Sequence, residues 1–187
     1  KDDYLSEISA LGIHVHLIEL GRTGTNPAQD IVTSIRYWWL IKRIRPDIVY
    51  CYGIKPVVYG LPASRWARVP GRFGMITGLG TIFTRPNRGT SRLLRLFVIG
   101  LYRNAFNCAG KVFFQNPDDI ADFMRFGILK HEEKAVRTMG SGVNLEQYAR
   151  QPLPEGEPVF LFIGRLLTEK GLAEFCDAAA IVKAKWP

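Results

Sequence analysis

The chain has 187 residues, of which 47% are hydrophobic, 12% aromatic and 22% charged, with a formal net charge of +8. That is enough for one domain or a domain and a fraction, and it excludes a disordered chain, a collagen and a disulfide-stapled miniprotein. The charge excess is local: residues 48–117 hold no Asp or Glu and ten cations, while the remainder has fifteen cations against seventeen acids. In chain order, the pattern predicts a short helix from about residue 3, then a strand over IHVHLIEL (13–20). A helix over 28–44 follows, with Ile31, Ile35, Trp38 and Trp39 on one face and Arg36 and Arg43 on another. Pro46 ends it, and DIVYCY (47–52) reads as a strand buried on both faces. A helix over 56–68 leads to a strand at RFGMIT (72–77) and a Gly- and Pro-punctuated loop, GLGTIFTRPNRGT (78–90).

A helix over 91–107 precedes the strand KVFFQN (111–116). Asn116 reads as the N-cap of the next helix, with Pro117 at its first position, Asp118 and Asp119 in its first turn and a stop at Gly127. A strand near 135–139 runs into GSGVN (140–144) and the polar linker QPLPEGEP (151–158). Then come an apolar strand, VFLFIG (159–164), a loop, and a last helix from about Gly171. Strands alternating with helices imply right-handed crossovers and a parallel sheet covered on both faces. The expected class is therefore α/β, a Rossmann-like, doubly wound parallel sheet over 1–150. A linker and the first βα unit of a second Rossmann-like domain occupy 151–187. One βα unit cannot bury its own faces, and the chain opens on Lys and closes inside a helical pattern, so the expectation is a fragment.

Cys51, Cys108 and Cys176 form no CxxC pair and no disulfide framework, which favours a reducing, cytosolic setting. The opening KDDYLSEIS is no signal peptide, and LFVIGLY (96–102) is far short of the roughly 18 apolar residues a bilayer span needs. His14 and His16 share one strand face and His131 sits among charges, so sheet packing and solvated surface are their readings and no metal is expected. GLG at 78–80 lacks the third glycine and the immediate helix of a dinucleotide fingerprint, and reads as a loop. G-x-S-x-G, Walker A and H-E-x-x-H runs are absent, and Cys51 reads as a small core residue rather than a nucleophile.

The strongest local signal is VFLFIGRLLTEKGL (159–172). Gly164 ends a strand, Arg165 and Lys170 flank a short turn, and Gly171 opens a helix whose free N–H groups suit a phosphate. The plainer reading pairs Arg165 with Glu169 and leaves Lys170 solvated. Lys55, after a strand end and a glycine, reads either as a ligand contact, since ligands gather at such strand ends, or as a solvated loop lysine. In the basic block, Arg85, Arg88, Arg92 and Arg95 lead into an apolar helix, and Trp66 adds an aromatic among further arginines. Cations beside apolar groups suit an anionic membrane leaflet; the alternative is a core face of Leu93, Leu94, Phe97 and Leu101 with a wet face of arginines.

GRLLTEKG after an apolar strand, with GSGVN and a Pro-rich linker before it, resembles the retaining GT-B glycosyltransferases of family four. YGIKPVVYG (52–60) and MITGLGTIF (75–83) resemble the subgroup that builds capsular, exopolysaccharide or lipid-linked glycans. The resemblance implies transfer of a sugar from a nucleotide-diphosphate sugar, with retention, to a polyprenyl-diphosphate-linked or glycan acceptor. It assigns Gly164, Arg165 and Lys170 to the donor diphosphate, and Gly142, Val143 and Asn144 to the crossing between domains. Lys55, Thr77, Gly78 and Gly80 fall on the acceptor or sugar side. Many members carry His-Gly where this chain has Thr77-Gly78; that His contact does not carry over, although Thr77 offers a hydroxyl from the same place. The family's first strand and Gly-rich loop would precede Lys1, and its paired glutamates would follow Pro187. Fixed cations at a leaving diphosphate stabilise the transition state without proton transfer, so neither a cofactor nor a metal is expected. The implied location is cytoplasmic, peripheral on the inner face of the plasma membrane, with no nucleic acid partner. The rival reading is a basic Rossmann-like nucleic-acid-binding module that uses the same arginines on phosphates, although no RRM, helix-turn-helix or zinc pattern appears. A sugar-nucleotide oxidoreductase would need a dinucleotide fingerprint that these residues do not supply.

Overall fold

The computed structural model of the chain describes residues 4–18, 27–78, 92–153, 155–166 and 170–186. It divides into two compact units, Lys1–Gly142 and Val143–Pro187. In the first, α1 (Leu5–Ala10) and α2 (Pro27–Ile44) precede β1 (Ile48–Tyr52), α3 (Ile54–Trp66) and β2 (Gly71–Ile76). After these come α4 (Arg92–Cys108), β3 (Lys111–Phe114), α5 (Pro117–Arg125), a 3-10 turn (Glu132–Lys134) and β4 (Ala135–Arg137). The four strands form one sheet in the order β1-β2-β3-β4, every neighbouring pair parallel. With right-handed crossovers between adjacent strands, α3, α4 and α5 all fall on one face.

That face holds the core. Register places Cys51, Gly74, Val112 and Ala135 in one row and Ile76, Phe114 and Arg137 in the next, all on the same side of the sheet. Val57 and Leu61 of α3, Tyr102 and Phe106 of α4 and Phe123 of α5 close over them, each at most 2% exposed. Phe123 is the hub: its ring lies 5.4 Å from both Tyr102 and Phe106 and 5.5 Å from Phe114. Two glycines let α3 sit close to the sheet. A Cβ on Gly60 would meet Cys51 Sγ at 2.8 Å, and one on Gly74 would meet Val57 and Leu61 at 3.2 Å.

Helix ends are tied across elements. The Asn116 side chain accepts from Asp119 N at 2.7 Å, with Pro117 in the first turn, as the sequence leads one to expect. α4 has no basic residue in its last turn. Lys134 from the 3-10 turn does that work, donating to the carbonyls of Phe106 at 3.1 Å and Ala109 at 3.0 Å.

Four expectations change. Residues 13–18 form no strand; a strand exists only as a partner in a ladder, and nothing among the described residues pairs with them. β1 is not buried on both faces: among the described residues it lies at the sheet edge, with Ile48, Tyr50 and Tyr52 all at least half exposed. More generally, the described helices cover one face only. On the other, Tyr50 and Phe73 pack beside Phe113 with ring centroids 5.9 and 6.4 Å away. Third, α2 packs through Thr33, Tyr37, Trp38 and Ile41, leaving Ile31, Ile35 and Trp39 of its apolar stripe exposed. Fourth, in the second unit 159–164 is not a strand, again for want of a described partner. There α6 (Leu172–Lys185) follows Gly171, whose φ of 74° suits glycine, and Phe162 meets Phe175 at 5.7 Å.

Phe123→Ala removes the hub of the aromatic core and is expected to cost about 3–5 kcal/mol. Denaturant unfolding of the purified protein measures it, and a loss within experimental scatter would refute the packing described.

Candidate functional site

In an open parallel sheet, ligands gather where the strands end and the helices begin. β1 delivers Tyr52, Gly53 and Lys55 to that edge; β2 delivers Thr77 and Gly78; β3 delivers Gln115 and Asn116; and β4 delivers Thr138 through Ser141. Gly53 adopts φ 86° and ψ 168°, which disfavours an L side chain, and donates its N–H to the Met75 carbonyl at 3.0 Å. Its own carbonyl accepts from Val57 N at 3.1 Å, so the chain turns from β1 straight into α3. No side chain caps that helix and no acid lies in its first turn. The first N–H groups of α3 and the half-buried Lys55 therefore stand at the ligand edge as a positive feature.

The β3–β4 part of the edge is built by polar contacts. Gln115 Nε2 donates to Ser141 Oγ at 3.0 Å, and Thr138 gives both its N–H (2.8 Å) and its hydroxyl (3.1 Å) to the Phe114 carbonyl. Asn116 Nδ2 donates to Asp119 Oδ2 at 2.9 Å. Asp119 is 6% exposed, and burial raises its carboxyl above the usual aspartate value; Asp118 and Asp122 push the same way, the Asn116 bond the other way. Gly140 and Gly142, with φ of 85° and 74°, flank Ser141 in open space.

Of the residues singled out in the sequence, Lys55, Thr77 and Gly78 share this edge, with Thr77 exposed. Gly80, Arg85 and Arg88 lie outside the described residues. Arg92 is exposed at the start of α4, whereas Arg95 is half-buried with its guanidinium 5.1 Å over the Phe126 ring. Gly164, Arg165 and Lys170 belong to the second unit, where all three are exposed and Lys170 directly precedes Gly171 at the start of α6. Gln115, Thr138 and Ser141 were missed by sequence reasoning. Their only signal is position at a strand end: Gln115 reads as part of the strand 111–116 and Asn116 as the helix cap.

Burial pushes the Cys51 thiol up to about 12 and raises Cys108 as well, so neither is a nucleophile at neutral pH. Among the described residues, no three His, Cys, Asp or Glu side chains gather as a metal set, and His14 and His16 are exposed.

This parallel, Rossmann-like α/β sheet is consistent with the N-terminal half of a GT-B fold. The chain belongs to the glycosyl transferase 4-like family, whose profile matches residues 2–116. It is similar to the N,N'-diacetylbacillosaminyl-diphospho-undecaprenol alpha-1,3-N-acetylgalactosaminyltransferase of Campylobacter jejuni subsp. jejuni. The two are 28% identical over 199 residues, covering 99% of this chain and 52% of the relative. The chain thus spans about half the length of that relative.

Because Asp119 holds its proton more tightly folded than unfolded, its favourable contribution is present below the ordinary aspartate value of 3.8 and lost as pH rises through the raised one. Asp119→Asn is expected to match the parent near pH ~3 and gain on it as pH rises toward ~7. Denaturant midpoints across that range measure the difference; a gap that does not change with pH would sink the assignment.

Proposed function

We propose that the whole protein transfers a sugar from a nucleotide-diphosphate sugar to a lipid-linked glycan, with retention of configuration. The family membership of the sheet domain carries this reading, and the ligand edge and acid-free basic block support it. The similar Campylobacter enzyme is named for an acceptor in which diphosphate joins a sugar to undecaprenol. Here Lys55, Thr77 and Gly78, with Gly80 from the following loop, take the acceptor or sugar side. Arg165 and Lys170 take the donor diphosphate beside Gly164. As the sugar leaves, negative charge builds on that diphosphate, and two fixed cations stabilise it more than they stabilise the intact donor.

The protein works at an anionic leaflet. Arg92 is exposed beside Leu93 (77%), Leu96 (56%) and Phe97 (52%), and Arg85 and Arg88 precede them in the chain. Among the described residues no helix is long and apolar enough to cross a membrane. Apolar side chains entering the interface with arginines against lipid phosphates hold a protein there without a span.

In the full-length enzyme, Arg165→Ala and Lys170→Ala should each lower kcat by about 10²-fold, the scale of one lost transition-state contact. Turnover that stays at the parental level in both would remove the diphosphate assignment. In sedimentation assays, anionic vesicles should retain the enzyme at low salt and release it as salt rises. Equal recovery on neutral and anionic vesicles would remove the leaflet.

A further inference from the structure

The exposed apolar stripe of α2 borders a groove that the sheet does not need. It lies between α2, α3 and α4, holds about 420 Å³, and has Val58, Pro62 and Ala63 along one side with Leu101 opposite. Ile31, Trp66 and Phe97 stand at its rim, 62%, 68% and 52% exposed. Its polar groups are largely spent on each other. Ser34 Oγ donates to the Asp30 carbonyl at 3.0 Å, and Tyr59 has its pKa raised, by burial first and then by the neighbouring Asp30 carboxylate. Asn104 remains at the solvent side. Three large side chains left in water around a mainly apolar groove are the kind of surface that binds an apolar ligand.

We propose that this groove seats the isoprenoid chain of a polyprenyl-diphosphate-linked acceptor; the inference rests on the transferase reading above. Direction supports that occupant. α3 follows β1 and α4 follows β2, so both start at the ligand edge, and α2, which leads into β1, starts there too. Ile31 and Phe97 lie within the first two turns of their helices, and Trp66 is the last residue of α3. A hydrocarbon chain along the groove therefore runs away from the ligand edge, with its head group at the end where Lys55 and Arg92 sit. α3 and α4 lie inside the segment without a single acid, which suits a lipid whose head is a diphosphate, although Asp30 of α2, the groove's one charged lining residue, is an acid. The volume falls among pockets that enclose a drug-sized ligand, so it takes the first stretch of a long polyprenyl chain and leaves the rest to the bilayer.

The test uses the full-length enzyme and two acceptors with the same sugar and diphosphate, one on a long polyprenyl chain and one on a single isoprene unit. Ser34→Trp fills the groove from within, while Phe97→Asp and Trp66→Ser alter a rim exposed enough to spare the fold. Each variant should lower the ratio of kcat/KM for the long acceptor over the short one by about tenfold. An unchanged ratio in all three, or equal losses on both acceptors, overturns the groove. A fall with the rim variants but not with Ser34→Trp also overturns it, since that face then meets bulk bilayer rather than one chain. A parent enzyme that turns over neither acceptor removes the transferase reading and the groove with it.

Discussion

The close seating of α3 on the β1–β2 pair governs the geometry of the first unit. It depends on one glycine from each partner: Gly60 on the helix lies against Cys51, and Gly74 on the strand lies beneath Val57 and Leu61. A methyl group at either position pushes against a packed neighbour, and interiors at crystal-like density do not give way cheaply. Because α3 lies so near the sheet, the Gly53 turn is short, and the first N–H groups of the helix stand beside Lys55 at the ligand edge. The same seating sets how far α3 lies from α2 and α4, and so the width of the groove between them.

Charge adds a second constraint. Arg72 donates to the Cys108 carbonyl at 2.7 Å and also to that of Val69, Arg103 to the Gly127 carbonyl at 2.6 Å, and Lys134 to the end of α4. Arg72 and Arg103 of the basic block, like Lys134 outside it, are thus spent on backbone carbonyls at helix ends and turns, where they offset the negative end of a helix dipole or satisfy orphan acceptors. Counting cations in the sequence overstates what is left to meet a polyanion. Arg92 stands exposed, while Arg95 is drawn onto Phe126.

Most elements of the first unit were legible because their signals are local. Periodicity marks α2 and α4, Pro46 stops a helix, and Asn116-Pro117 starts one. What failed depends on partners distant in sequence. Residues 13–18 and 159–164 have the composition of strands, yet pairing makes a strand and no described neighbour supplies it. DIVYCY looks like a central strand by composition and lies at an edge among the described residues. On α2, propensity and periodicity gave the helix but not the side that packs, since Thr33 and Ser34 turn inward with their hydroxyls satisfied by the preceding turn. At the ligand edge, Lys55 stands out because it follows a strand end and a glycine, a local pattern, whereas Thr77 and Gly78 are pointed to only by the family resemblance. Gln115 and Ser141 meet across 26 positions, and nothing in either segment announces the other.

The bond from Lys134 to the end of α4 bears on how the unit comes together. Together with Arg103 to Gly127 and Thr138 to Phe114, it closes a stretch from Arg103 to Thr138 by links of only 24 to 28 residues. Loops that short close at low entropic cost, and the stretch contains the aromatic hub as well. Residues 103–138 thus form a block whose links are local in sequence, the kind of contact that forms at low entropic cost, and the Asn116–Asp119 corner of the ligand edge lies inside it.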